Sequence, residues 1–214
     1  MRRRASLLAR AYLEALRAAD AAGAYRVLAQ ARERGMRLLD LYEWVITPAM
    51  HEVGRLWERG AITIADEHLA TELTQRVLTA LRAEGMGEPS EATRQEMPRA
   101  MLAAVQGEQH VLGLRMAADL VEDAGYETLY LGADVPTEDL LTAVESHSPD
   151  LLGLSVTMPE LGPVLAETVR RAHRTRPGLD LLVGGQASAS QRLREATPVK
   201  DLASLDERLH QRLS

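Results

Sequence analysis

From Ala5 to about Ala83, apolar residues return every three or four positions, the period of helices that bury one side. Leu8, Tyr12, Ala15 and Leu16 share one face of a first helix that the pattern carries to near Gly23. Tyr25, Leu28 and Ala31 continue the period to Gly35. A third segment, 38–59, carries Leu41, Val45, Met50, Val53, Leu56 and Trp57. Pro48 lacks an N–H and predicts a kink or a restart within it. Thr63 and Asp66 read as a capping box for a fourth helix, with Leu69, Leu73, Val77 and Leu81 beneath. Four helices with short connections predict an antiparallel bundle over residues 1–84.

The pattern then changes twice. Residues 85–98 combine Gly, Pro, Ser and charge without a period, which predicts a linker. Over 99–214 short Leu- and Val-rich runs alternate with helical stretches. Strands are expected at 101–105, 127–131, 151–155 and 180–183, and helices at 112–124, 137–146 and 160–175. Pro198-Val199-Lys200 reads as a short edge strand, followed by a helix from Leu205. The runs scarcely alternate, as expected of parallel strands buried on both faces. The fold class is therefore α/β: an N-terminal four-helix bundle followed by a Rossmann-like, doubly wound parallel sheet, with ligands at the carboxyl ends of its strands.

Composition narrows the chemistry. The 214 residues are 46% apolar, but aromatics make up only 3% and Phe is absent, so Leu, Ala and Val fill the cores. The absence of Cys excludes disulfides, thiolate metal sites and Cys nucleophiles. A net charge of −6, with Arg scattered along helix faces, argues against a nucleic-acid surface. No long apolar run and no cleavable leader pattern are seen, so a cytoplasmic protein without membrane contact is expected.

The chemistry-bearing residues gather where the sheet pattern places ligands. Glu108-x-His110-x-x-Gly113 follows the first strand; the Glu108 carboxylate is spaced to hold one ring nitrogen of His110 and leave the other for a metal. A surface-loop histidine beside a glutamate also fits that hexapeptide, since short motifs match by chance. Ser155-Val156-Thr157 follows Gly113 after 41 intervening residues, and Gly184-Gly185 follows after 26 more. They end the third and fourth strands. Upstream, Trp57 is followed after nine residues by Glu67-His68, across a tight 59–61 connection. An apolar ring beside hydrogen-bonding groups suits a nucleoside, although a helix-end Trp is also a packing anchor and Glu-His also fits a solvated first turn.

The three spaced elements resemble the signature of the cobalamin-binding domain family, Asp/Glu-x-His-x-x-Gly, Ser-x-Leu/Thr and Gly-Gly. The resemblance implies cobalt bound from below by His110 after displacement of the dimethylbenzimidazole tail, the base-off, His-on mode. It also implies a tail slot lined by Ser155 and Thr157, admitted by Gly184-Gly185, and bordered by Val135. Glu108 stands where Asp is usual, and Thr157 where Leu is commoner. The Trp57-x9-Glu67-His68 pattern resembles the CarH-type adenosylcobalamin photoreceptors, in which the bundle caps the upper corrin face and these residues hold the adenosyl group.

Two departures shape the expectation. The residue after the Trp is Glu58, where the family's light-state upper ligand is His; His51, seven residues earlier on the same helix face, or water would then take that place. The chain also opens directly on the bundle, where the family's repressors carry a helix-turn-helix domain, so direct DNA binding is not expected. The reading is a stand-alone, non-enzymatic light sensor holding adenosylcobalamin, with a light-dependent homo-oligomer or a signalling partner as output. The alternatives are a corrinoid carrier of a methyltransferase system and a cobalamin chaperone or reservoir, with methylcobalamin or hydroxocobalamin as the bound form.

Overall fold

The computed structural model describes residues 2–85, 96–188 and 193–212, and the chain divides into two compact units, Met1–Glu88 and Pro89–Ser214. Most of the segment read as a linker, residues 86–95, lies outside the described residues.

The first unit is helical. α1 (Arg2–Arg17) buries Tyr12 and Leu16, and α2 (Ala21–Glu33) buries Ala24, Leu28 and Ala31. The break between them falls at Ala18–Asp20 rather than near Gly23. The Asp20 carboxylate accepts the Gly23 N–H at 2.8 Å and starts α2 there, while Ala19 turns at φ +54°. The third segment is α3 (Leu38–Leu41), a π turn (Tyr42–Ile46) and α4 (Thr47–Glu58). In that turn the Thr47 N–H reaches back to the Tyr42 carbonyl. The interruption predicted at Pro48 thus takes the form of a widened turn on its N-terminal side.

α5 (Ile64–Gly85) opens on the expected capping box: the Thr63 N–H donates to Asp66 Oδ2 at 2.8 Å, and the Asp66 N–H to Thr63 Oγ1 at 3.2 Å. Leu73 and Val77 face inward as expected, but Leu69 does not: it is 45% exposed, because the buried stripe runs through Ala70, Leu73, Thr74, Val77 and Leu78.

Inside this unit the Tyr12 hydroxyl donates to Thr74 Oγ1 at 3.1 Å, and Thr74 donates to the Ala70 carbonyl at 2.8 Å. Burial pushes the Tyr12 phenol up to about 12, although the Thr74 hydrogen bond pulls the other way. A raised value means the neutral phenol is favoured by folding. Its contribution is complete below the unfolded value of 10.0 and is lost as pH rises through about 12. Tyr12→Phe is expected to cost about 1 kcal/mol at neutral pH. It is also expected to remove the loss of stability between pH 10 and 12, measured by denaturant unfolding across that range. A mutant with the same alkaline profile as the wild type would contradict this assignment.

The second unit is a five-stranded, wholly parallel sheet in the order β2-β1-β3-β4-β5. Its strands are β1 (Arg99–Val105), β2 (Glu127–Val135), β3 (Leu151–Ser155), β4 (Asp180–Gly184) and β5 (Thr197–Pro198). Its helices are α6 (Leu112–Asp123), α7 (Thr137–His147), α8 (Gly162–Thr175) and α9 (Leu202–Arg212). Every β1 residue after Arg99 is buried. Met101, Ala103 and Val105 join a core with α7 and α8, whereas Ala100, Leu102 and Ala104 join one with α6 and α9. Burial on both faces is why β1 does not alternate with polar residues.

β2 runs four residues beyond its predicted end, through Gly132 and Asp134, because register shifts absorb these turn-prone residues within the strand. Val135 is therefore the last residue of β2 rather than one after it. At the C-terminus, pairing involves Thr197–Pro198, and the helix begins at Leu202 on a cap in which Asp201 Oδ1 accepts the Ser204 N–H at 2.8 Å. Among the described residues no helix is long and apolar enough to cross a membrane.

Candidate functional site

The sheet order places β1 beside β3, with connections leaving in opposite directions. This is the switch point at which doubly wound folds leave a crevice. The loops after β1 and β3 meet there through one side chain. Glu108 is fully buried, and both carboxylate oxygens are used. Oε1 accepts the His110 N–H at 2.8 Å and lies 2.6 Å from His110 Nδ1. Oε2 accepts the N–H of Thr157 at 2.5 Å and of Met158 at 3.1 Å. Burial opposes ionisation of this carboxyl, but the His110, Thr157 and Met158 donors together outweigh it and hold Glu108 below the usual carboxylate range.

An ionised Glu108 fixes the tautomer of its neighbour. The carboxylate only accepts, so Nδ1 carries a proton, and in the neutral form of the ring the lone pair falls on Nε2. The His110 side chain is 60% exposed. The imidazole is thus braced at Nδ1, with Nε2 left outside that contact.

Glycines shape the surroundings in two ways. Gly185 sits at φ +91°, and a Cβ there would stand 2.2 Å from the Val156 carbonyl oxygen, so the close contact of the β3 and β4 loops requires glycine. The Val156 N–H donates to Gly184 O at 3.0 Å, and the Ala187 N–H to Val156 O at 3.2 Å, sealing that contact. Gly113 and Gly184 differ: a Cβ on Gly113 would meet nothing within 4 Å, and one on Gly184 only Val199 at 3.9 Å. Protein packing does not demand glycine at either. Ser155 is nearly buried at the end of β3, Thr157 is half-buried, and Val135 packs partly buried against the α7–α8 core.

In the helical unit, Trp57 ends α4 with 45% of its surface exposed. Across the connection, Glu67 Oε2 lies 2.7 Å from Nδ1 of the exposed His68, while Glu67 Oε1 accepts the Thr71 hydroxyl at 3.0 Å. Ile64 and Leu69 are exposed on the same helix start. Trp57 and the Glu67–His68 pair thus flank one connection at one end of the bundle, and the described structure records no hydrogen bond joining them.

Asp134 was not anticipated from sequence. Its Oδ1 accepts the Gly107 N–H at 2.6 Å, and Oδ2 accepts the Gln109 side-chain N–H at 3.3 Å. Its own N–H donates to the Glu108 carbonyl at 2.9 Å. In sequence, Asp134 lies beyond the expected second strand, 127–131, and nothing there signals a partner 25 residues away.

Known proteins agree with this architecture. Two family models described as B12 binding domains match residues 8–82 and 98–206. The HTH-type transcriptional repressor CarH of Myxococcus xanthus is 32% identical over 154 residues, 71% of this chain and 49% of the repressor, so the chain spans about half of that relative's length. Dimethylamine corrinoid protein 1 of Methanosarcina acetivorans is 25% identical over 154 residues, 71% of this chain and 70% of that protein. The structure of the Methanosarcina barkeri monomethylamine corrinoid protein has the same fold, with a TM-score of 0.76 at 18% identity over 94% of this chain and 95% of that one. The chain belongs to the B12-binding domain family and is a cobalamin-binding protein.

Proposed function

We propose that this protein is a light sensor that holds adenosylcobalamin base-off, with His110 Nε2 as the lower ligand of cobalt, and changes conformation or assembly on illumination. The observation that carries the light-sensing reading is the exposed Trp57 facing solvent at the bundle end that also bears the Glu67–His68 pair. An apolar wall and a hydrogen-bonding pair suit an adenosyl group. In this reading the bundle, residues 1–84, caps the upper corrin face, and 85–98 links it to the cobalamin domain, 99–214.

The residues present fit such a group. His110 offers one braced imidazole nitrogen. Gly113 leaves the first turn of α6 bare for a flat ring to approach, and Gly184 leaves room beside Ser155 and Thr157 for the nucleotide tail, with Val135 at its border. Gly185 holds that wall in place through Val156. When bound, adenosylcobalamin supplies a cobalt–carbon bond that visible light breaks. The chain's part is differential binding: Trp57, Glu67 and His68 hold one arrangement of the protein only while the adenosyl group is attached. Its output is a change in self-association or a signalling partner. The protein presents its cofactor and performs no catalysis of its own.

A second reading, a corrinoid carrier that presents methylcobalamin to a methyltransferase, is supported by the match covering 70% of a dimethylamine corrinoid protein. The two part in one experiment. The protein is loaded in the dark with adenosylcobalamin, and its absorption spectrum and gel-filtration volume are recorded before and after green light, beside His110→Ala and Trp57→Ala. The sensor reading expects a His-on spectrum absent from His110→Ala and a light-dependent change in size weakened in Trp57→Ala. Unchanged size, with photolysis no faster than for the free cofactor, would favour the carrier.

A further inference from the structure

We infer that Asp134 is a positioning residue for the cobalt ligand, clamping the loop that delivers His110; the inference rests on the reading of His110 given above. Its three contacts fall on three consecutive residues. The carboxylate takes the Gly107 N–H and the Gln109 side chain, and the Asp134 N–H takes the Glu108 carbonyl. The Glu108 N–H is meanwhile held by the Val105 carbonyl at 2.9 Å. Glu108 is therefore fixed along its backbone at both ends before its side chain reaches His110, Thr157 and Met158.

The strand is distorted to make this possible. Leu102 pairs with Tyr130, Ala103 with Gly132 and Val105 with Val135. Each interval gives β2 one residue more than β1, so the strand carries two successive bulges. Each bulge contains a left-handed residue, Gly132 at φ +82° and Asp134 at φ +53°. Glycine accepts that conformation freely, and aspartate is among the few other residues that adopt it, at a small cost that local hydrogen bonds offset. Asp134 is exposed and contributes nothing to the core, so burial does not explain the distortion. What the bulge achieves is to turn the Asp134 carboxylate and N–H together onto residues 107–109. Bulges re-aim side chains beside functional sites, and local strain persists where surrounding contacts over-determine it.

The consequence is specific. Glu108 sets the tautomer of His110, and Asp134 sets where Glu108 and His110 stand. With the clamp removed, His110 is no longer held at a fixed place beneath an incoming corrin, and ligation has to order the loop at the moment of binding.

The test uses the full chain with Asp134→Gly, which removes the small left-handed cost and deletes the carboxylate, and Asp134→Asn, which keeps an acceptor for Gly107. In the apoprotein, hydrogen exchange over residues 106–110 is expected to rise at least about tenfold in Asp134→Gly, with the melting temperature nearly unchanged. With hydroxocobalamin, the same variant is expected to bind about tenfold more weakly and to leave part of the bound corrin without the His-on absorption signature. Asp134→Asn is expected to recover most of both. A merely structural role would shift melting without altering the His-on fraction at saturation. Unchanged exchange, or wild-type affinity and His-on fraction in Asp134→Gly, would overturn the inference. Were wild type to show no His110-dependent spectrum, the ligand reading itself would fall, while the exchange measurement would still decide whether Asp134 holds the loop.

Discussion

Glu108→Gln is expected to lose His-on cobalamin binding and to melt well below wild type. The carboxylate offers acceptors on both sides, to the His110 N–H and ring on one and to the Thr157 and Met158 N–H groups on the other. A glutamine has one oxygen and one NH2. Whichever way the amide turns, the NH2 faces donors inside a site where Glu108 is fully buried. Each buried donor left unpaired costs about 1–3 kcal/mol. The imidazole also loses the charge that fixes its tautomer, and groups in that position are worth about 10–100-fold in metal affinity. Glu108→Asp keeps the charge but lacks the reach to span both loops. It is expected to retain the His110 contact, release the 157–158 backbone and fall between the two. Thermal unfolding of the apoprotein and spectral titration with cobalamin measure both effects separately. Wild-type behaviour of Glu108→Gln would mean that this clamp does not order the site.

Gly185→Ala and Gly184→Ala are expected to separate folding from binding. At Gly185 a Cβ would stand 2.2 Å from the Val156 oxygen and 2.7 Å from its carbon, at φ +91°. These are backbone atoms tied to Gly184 and Ala187, so they cannot yield without opening the β3–β4 contact. Overpacking and the left-handed penalty together are expected to cost about 3 kcal/mol or more. Val156 precedes Thr157, whose N–H holds Glu108, so the same change propagates to the cobalt ligand. At Gly184 the nearest neighbour of an added methyl is Val199 at 3.9 Å. The Gly184→Ala protein is expected to melt within about 1 kcal/mol of wild type yet bind cobalamin more weakly, because the methyl occupies the space proposed for the tail. Equal binding in Gly184→Ala and wild type would place the tail elsewhere.

These cases show what the sequence could and could not convey. The Glu108–His110 contact was legible because it is local: two residues apart, in one loop after a recognisable strand. The grip of Glu108 on Thr157 and Met158 was not, since it depends on β1 and β3 lying side by side, which spacing along the chain does not encode. Gly184 and Gly185 look alike in sequence, and only their backbone surroundings distinguish them. The bundle is legible in its period, but the period does not fix its phase to one residue: Leu69 is adjacent to the buried Ala70, and a rotation of about 100° takes it out of the stripe. Asp134 was invisible for a further reason: its role comes from two extra residues in β2 relative to β1, a relation between strands rather than a property of either.

The π turn at Tyr42–Ile46 bears on how this chain tolerates changes in length. Such a turn holds one residue more than an α turn, so everything beyond it is rotated by about 100° relative to an uninterrupted helix. Loss of any single residue between 42 and 46 would let the segment close into regular helix. It would also swing Trp57, together with the buried Val53 and Leu56, about a quarter of the way round against Leu38–Leu41. The reading frame of the helix, rather than the identity of any one side chain, is what brings that tryptophan to the surface.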